Sequence, residues 1–154
     1  DSVYGSQTIG IGVYITQEFI NTIYKPLNKF AHKGTQGHVC LIGGSYGKMG
    51  AMVLASKAAL KSGCGLVTAY IPKSGVSILQ TAIPEAMTLC DNQEQYISYI
   101  NLPFVPSSIG IGMGLGILGE TIQAFQEWLS HLNSPTVFDA DAINIISKNQ
   151  QLIR

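Results

Sequence analysis

The stretch Gly43-Gly44-Ser45-Tyr46-Gly47-Lys48-Met49-Gly50-Ala51 decides how this chain is built. Before it lies His38–Ile42, a short apolar run that ends in glycines and is typical of a buried strand. After it lies Ala51–Ser62, a run rich in Ala, Leu and Lys that favours a helix and is closed by Gly63. The quoted stretch is therefore predicted to be a tight strand-to-helix turn.

The same alternation continues along the chain. Further strands are predicted at Leu66–Ile71, Glu85–Leu89, Ser108–Gly112 and Pro135–Asp139, and further helices at Ser74–Thr81, Gln93–Ile100, Gly119–Leu132 and Asp141–Ser147. Strands separated by helices imply βαβ units, so we expect an α/β fold with a parallel sheet covered by helices on both faces. Upstream, Thr16 is predicted to cap a short helix that ends before Pro26.

Composition excludes several classes of function. Only 12% of the 154 residues are charged, the net charge is zero, and the nine basic residues are scattered, so a nucleic-acid partner is not expected. No apolar run reaches the ~20 residues of a membrane span, and no secretory signal is visible, so we expect a cytoplasmic protein without a membrane partner. Cys40, Cys64 and Cys90 have no metal-like spacing, so buried reduced thiols and no metal centre of their own are expected.

In open α/β sheets, ligands bind beyond the carboxyl ends of the strands. Glycines 44, 47 and 50 at the first such end could let backbone N–H groups approach an anion. The spacing matches neither the P-loop nor the dinucleotide fingerprint. A phosphate cradle and a turn needed only for packing therefore remain open with equal weight.

Two more strand ends carry unusual sequence. Gly112-Met113-Gly114-Leu115-Gly116 could form a side-chain-free floor for a nucleotide, or a strand bulge followed by a loop. In Val137-Phe138-Asp139-Ala140-Asp141, two carboxylates would share one side if the chain is extended, and could then hold Mg²⁺ or position a phosphate donor. For Asp141 we favour the alternative, an N-cap of the next helix, whereas Asp139 stays open.

These segments together resemble the NAD(P)H-hydrate dehydratases of the ribokinase-like superfamily. The resemblance begins at Lys33-Gly34-Thr35-Gln36-Gly37-His38, continues through Ile42-Gly43-Gly44-Ser45, and ends at Asp139-Ala140-Asp141-Ala142-Ile143-Asn144. It implies a three-layer α/β/α fold and repair of hydrated NADH or NADPH. In that reaction ATP or ADP, with Mg²⁺, phosphorylates the ring hydroxyl, and loss of the phosphate restores the reduced cofactor.

The resemblance also implies roles for particular residues. Ala51 and Gly114 would contact the hydrated cofactor. The phosphate and nucleotide region would include Lys33, Gly44, Ser45, Gly47, Gly50, Gly112, Gly116, Asp139 and Asn144. Met113 stands where the family usually has proline, which loosens that turn. The family's general-base aspartate belongs to a motif that would lie beyond Arg154, so no catalytic residue is expected in these 154 residues and the isolated chain is expected to be inactive.

The same resemblance suggests an organisation. We expect residues 1–15 to be an arm or the tail of a preceding epimerase-like domain, and 16–154 to be the N-terminal part of an incomplete dehydratase domain in a homo-oligomer. Two alternatives remain: a ribokinase-like kinase acting on a small sugar or vitamin precursor, and a non-enzymatic nucleotide-binding or interaction fragment.

Overall fold

The computed structural model describes residues 15–24, 26 and 29–153, which contain five strands and five α-helices. The strands are β1 (His38–Ile42), β2 (Leu66–Ile71), β3 (Met87–Cys90), β4 (Ser108–Ile111) and β5 (Thr136–Phe138). The helices are α1 (Gln17–Ile23), α2 (Met49–Lys61), α3 (Val76–Ala82), α4 (Gly119–Ser130) and α5 (Ala140–Lys148). Short 3-10 turns occur at Lys33–Thr35, Lys73–Gly75 and Gln150–Ile153.

All five strands are parallel, in the order β3-β2-β1-β4-β5. Strand β1 is central: Val39 pairs with Val67 of β2 on one side and with Ser108 of β4 on the other. The apolar runs of β1 and β2 are therefore covered by neighbouring strands, which explains why they read as nearly continuous hydrophobic sequence.

Two hydrophobic cores lie on opposite faces of this sheet. Alternate residues of β1 divide between them, because successive side chains of a strand point to opposite faces. Cys40 and Ile42 pack with Phe125 of α4 and Ile145 of α5, whereas Leu41 packs with Met52 of α2 and Leu79 of α3. The predicted parallel sheet between two helical layers is confirmed.

One predicted element is wrong: residues 93–100 form no helix. A helix there would need the carbonyl oxygens of its first residues for bonds to amides four positions later. Those oxygens instead accept amides from other parts of the chain, in bonds that join Lys73 to Gln93, Ser74 to Glu94 and Tyr46 to Gln95. Residues 91–101 are therefore irregular.

Contacts divide the chain into two units, one through Ala31 and one from His32 onward. In the first unit Thr16 caps α1 as predicted, its hydroxyl accepting the Phe19 amide at 3.3 Å. The predicted arm, residues 1–15, lies outside the described residues apart from Ile15. Its boundary and its epimerase-like character stay predictions. Among the described helices, none is long and apolar enough to cross a membrane.

The three cysteines differ more than predicted. Burial raises the pKa of the Cys40 thiol to about 12, and it raises the pKa of the half-buried Cys64 as well. Cys90 is exposed at the end of an edge strand, so the expectation of three buried thiols is wrong for that residue. The alternation used for prediction did not show that β3 would lie at the edge.

Candidate functional site

The carboxyl ends of β1 and β4 lie side by side at the topological switch point of the sheet, where the strand order reverses. From β1 the chain passes to β2 and β3 on one side, and from β4 it passes to β5 on the other. Loops that leave such a switch point diverge, which opens a crevice in which α/β proteins bind ligands. The Gly43–Ala51 turn leaves β1 here, and the glycine loop (residues 112–116) leaves β4 here.

The first part of the Gly43–Ala51 turn is a structural junction. The Gly43 amide donates to the Tyr70 backbone carbonyl at 3.1 Å, and the Gly44 amide donates to the Met113 carbonyl at 2.8 Å. A Cβ on Gly43 would overlap the Met113 carbonyl, so a glycine is needed there for packing alone. Tyr46 and Lys48 also donate their amides to protein carbonyls. These four amides are already engaged, which favours the packing interpretation for this part of the turn.

The glycine loop after β4 is held against the start of α2. Ser45 donates its hydroxyl to the Gly114 carbonyl at 2.8 Å. A Cβ placed on Gly114 would come within 2.7 Å of the Lys48 carbonyl oxygen and 3.4 Å of the Ala51 Cβ. The close approach thus needs a glycine at 114. It also brings Ala51 and Gly114, the two predicted substrate contacts, next to each other.

The start of α5 closes the third side of the crevice. Gly112 lies so close to it that an added Cβ would overlap the Asp139 carbonyl. Asp139 occupies the N-cap position, without a side-chain capping bond, and Ala140 follows with φ 42. The prediction of Asp141 as the N-cap is therefore wrong, because the cap lies two residues earlier, at Asp139. The extended conformation of residues 139–141, on which a shared carboxylate site depended, is also not found.

Asp141 has a different role from the one expected. Its Oδ2 atom accepts the Gly116 amide at 2.8 Å, and Asn144 donates to its Oδ1 at 3.4 Å. Lys48 Nζ lies 4.0 Å from the same Oδ2. The Asp141 carboxylate therefore connects the glycine loop to α5, and it faces Lys48 of the Gly43–Ala51 turn. Its role depends on a contact across 25 residues, which sequence spacing could not show.

An open cavity of about 450 Å³ lies beside the Gly43–Ala51 turn and the glycine loop. Its lining includes Ser45, Tyr46, Lys48, Gln95 and Tyr96, together with residues 115–118. Gly47 and Gly50 are exposed, and a Cβ on either would meet no atom within 4 Å. Gly50 also has no positive φ, so neither packing nor backbone conformation explains a glycine at this position.

Lys48 is the cation of this cavity. Its side chain is 58% exposed, and its pairing with Asp141 at 4.0 Å is loose. Exposed pairs of this kind contribute about 0–1 kcal/mol, so the ammonium group remains available to an anion. The sequence pattern offered no reason to select Lys48, because a lysine before a helix is usually only solvated.

Lys33 is not brought to this site. It lies in the 3-10 turn that precedes β1, at the amino-terminal edge of the sheet, whereas Gly44 and Ser45 follow the carboxyl end of β1. A Cβ on Gly65, just before β2, would overlap the Lys33 carbonyl. The remaining predicted residues lie around the crevice: Gly44, Ser45, Gly47, Gly50, Ala51, Gly112, Gly114, Gly116, Asp139 and Asn144.

Metal-binding groups are sparse in the described part of the chain, where no group of three or more His, Cys, Asp or Glu could hold an ion. At the crevice Asp141 is committed to the Gly116 amide, whereas Asp139 is exposed and makes no capping bond. Mg²⁺ commonly binds through one or two carboxylates plus the phosphates of a substrate. The residues present thus fit an ion that arrives with a nucleotide.

Sheet order, helical layers and the switch-point crevice together define a doubly wound α/β fold, and this fold is similar to that of a ribokinase-like protein. A ribokinase-like superfamily protein from Enterococcus faecalis V583 superposes with a TM-score of 0.74 over 89% of this chain and 48% of its own, at 22% identity. The family model described as NAD(P)H-hydrate dehydratase matches residues 39–154, and the chain belongs to that family.

Two members give the extent of the match. An ADP-dependent (S)-NAD(P)H-hydrate dehydratase from Staphylococcus aureus is 36% identical over 141 residues, which cover 90% of this chain and 50% of that protein. The ADP/ATP-dependent NAD(P)H-hydrate dehydratase from Bacillus subtilis, co-crystallized with ATP/Mg²⁺, superposes with a TM-score of 0.71 at 26% identity, over 82% of this chain and 45% of that one. The chain spans about half the length of these relatives.

Proposed function

We propose that the protein to which this chain belongs dehydrates hydrated NADH or NADPH, using ATP or ADP as phosphoryl donor. The observation that carries the proposal is the close approach of Ala51 and Gly114 at the switch-point crevice of a chain in the dehydratase family. These two residues come from separate segments, and the exposed Gly50 precedes Ala51. Relatives named as nucleotide-dependent dehydratases support the same reaction.

In this proposal the chain supplies the substrate wall of the pocket. The exposed glycines 47 and 50 leave room near Ala51 for the bulky dinucleotide. Lys48 neutralises a phosphate of the bound ligand, since its ammonium group is exposed within the cavity. Ser45 and Asp141 hold the glycine loop in position through their bonds to Gly114 and Gly116. Preorganised positioning is the main contribution that a protein makes to phosphoryl transfer.

The nucleotide supplies the phosphoryl group, and Mg²⁺ supplies positive charge against its phosphates. Of the described carboxylates at the crevice, Asp139 is the one that remains available to such an ion. We also propose, from the resemblance to the dehydratase family, that the protein is a cytoplasmic homo-oligomer.

A coupled assay of the complete protein tests the proposal. Hydrated NADH is mixed with ADP or ATP and Mg²⁺, and the absorbance of NADH is followed. We expect the NADH band to rise only when nucleotide is present. A flat trace, accompanied by ATP consumption when a small sugar or vitamin precursor is added, would instead identify a ribokinase-like kinase. Binding of nucleotide without any turnover would identify a binding module.

A further inference from the structure

Asp91 is a buried carboxylate at the end of β3, with only 3% of its surface exposed. Its Oδ1 atom accepts the Gln93 amide at 2.7 Å, and its Oδ2 atom accepts the amides of Ser98 and Tyr99 at 2.7 and 2.8 Å. The Ser98 hydroxyl adds a bond at 3.1 Å. Hydrogen bonds to an ionised acceptor are short and strong, so this one side chain fixes the backbone between residues 93 and 99.

The segment that Asp91 organises, residues 91–101, is fastened to the ligand-binding edge. Its backbone carbonyls accept the amides of Lys73 and Ser74 from the loop after β2, and the amide of Tyr46 from the Gly43–Ala51 turn. Buried isoleucines at 97 and 100 anchor it in the core below. The bond from Tyr46 to Gln95, 2.8 Å long, connects it directly to the turn that carries Lys48 and Gly50.

Gln95 and Tyr96 of this segment line the same cavity as Ser45 and Lys48. A side-chain amide can hydrogen-bond to the carboxamide of a hydrated nicotinamide ring, and a phenol ring can pack against the ring itself. An irregular loop that had to become ordered on binding would lose affinity to conformational entropy. A carboxylate that orders the loop in advance removes that cost.

We infer that Asp91 is a positioning residue, which holds segment 91–101 as a preformed wall of the pocket and acts on the substrate through Gln95 and Tyr96. The inference rests on the proposed dehydratase function and adds a specificity-determining wall to it. Asp91 itself touches neither substrate nor nucleotide, since its oxygens are occupied by the segment that it holds.

Asp91→Asn in the complete protein tests the inference, with Glu94→Gln as the matched control. Glu94 lies in the same segment, but its exposed carboxylate pairs only with Lys73, at 3.4 Å. For Asp91→Asn we expect the KM for hydrated NADH to rise about tenfold, corresponding to about 1.4 kcal/mol, with kcat changed by less than about twofold. Glu94→Gln should leave both constants unchanged.

Hydrogen exchange separates positioning from general destabilisation. In Asp91→Asn the amides of residues 93–99 should exchange at least about tenfold faster, while those of β1 and β2 keep the wild-type rate. In a background that carries both Gln95→Ala and Tyr96→Ala, Asp91→Asn should raise the KM by less than about twofold further, because both groups through which it acts are already gone. If Asp91→Asn does not fold, Ser98→Ala, which removes one bond to the carboxylate, should raise the KM about threefold.

Four results would overturn the inference. Three of them are unchanged exchange in residues 93–99, faster exchange that spreads through β1 and β2, and a fall in kcat at constant KM. The fourth is full additivity of Asp91→Asn with the Gln95→Ala and Tyr96→Ala double variant. A wild-type protein that leaves hydrated NADH unchanged contradicts the proposed function instead. The exchange comparison of Asp91→Asn with Glu94→Gln then decides by itself whether Asp91 orders the segment.

Discussion

The two ends of the central strand are both crowded and both border open space, yet they differ in the groups that line that space. At the amino end the backbone at Gly65 packs directly on the Lys33 carbonyl, and at the carboxyl end Gly43 packs closely on that of Met113. A cavity of about 450 Å³ lies at each end. The cavity beside His38 has no lysine among its described lining residues, whereas the cavity beyond Gly43 contains the exposed Lys48 and lies at the switch point. Tight glycine packing and open space are therefore properties of the fold, and the switch-point loops with their exposed lysine mark the ligand site.

Gly112→Ala should have the largest effect, a loss of stability, because it disrupts the close packing at the carboxyl end of the sheet. Its φ of +122 is strained for any residue with a Cβ, and the added methyl would overlap the Asp139 carbonyl. We expect a loss of about 3 kcal/mol or more of unfolding free energy, or no folded protein at all. Thermal unfolding measures this.

Gly119→Ala is the matched control, since a Cβ there meets nothing within 4 Å. Its stability should stay within about 0.5 kcal/mol of the wild type. Equal stability of the two variants would contradict the close packing of β4 against the start of α5.

Lys48→Met should come next, and it acts on binding instead of folding. Loss of the exposed ammonium group should raise the KM for hydrated NADH about tenfold, the equivalent of about 1.4 kcal/mol. Stability should hardly change, because the pairing with Asp141 is loose. Steady-state kinetics measure the effect. Lys73→Met, which removes another exposed and paired lysine, should keep the wild-type KM; equal effects of the two would argue against a ligand at Lys48.

Gly50→Ala separates the needs of the fold from those of the ligand. Alanine is a better helix former than glycine and meets no protein atom here, so stability should rise by up to about 1 kcal/mol. The same methyl group would occupy space that we propose for the ligand, and we expect the KM to rise about fivefold, or about 1 kcal/mol. The measurements are thermal unfolding and initial rates. A variant that is both more stable and unchanged in KM would show that no ligand lies against Gly50.

A substitution of His38, at the amino end of the central strand, should have the smallest effect, which is on the pH dependence of stability. His38 stacks on Phe104 with ring centroids 4.2 Å apart and bonds Thr68 at 2.7 Å, and burial lowers its pKa below the usual 6.5. Since the unfolded chain then binds a proton more readily, His38 favours the fold above about pH 6.5. That contribution is lost as the pH falls toward the lower, folded-state pKa.

In His38→Gln the free energy of unfolding should fall less as the pH is lowered below about 6.5, and the KM should not change. Unfolding curves of both proteins at several pH values between about 5 and 8 give the comparison. Parallel pH profiles for the two proteins would contradict the assignment.

The sequence predicted the fold well because local periodicity carries that information. The apolar runs of β1 and β2 and the helix-forming run of α2 are each recognisable within a few residues. The site was predicted as three separate strand ends, and parallel topology brings such ends to one edge. Ala51 and Gly114 are neighbours for this reason.

What the sequence could not show depends on distant contacts. The helix predicted at 93–100 is absent because Asp91 and the loop after β2 take up its hydrogen-bonding groups. Asp141 was expected to cap α5, yet it binds the Gly116 amide across 25 residues. Lys33 was placed with Gly44 on resemblance alone, although a strand separates them.

Hydrogen exchange of the complete protein, with and without hydrated NADH, tests most directly whether the ligand binds at the carboxyl end of the central strand. We predict that the ligand slows exchange in residues 44–51 and 112–118, at that end. Residues 33–38, at the amino end, should keep the same rate. Protection at 33–38 with none at 44–51 and 112–118 would contradict a ligand site at the carboxyl end.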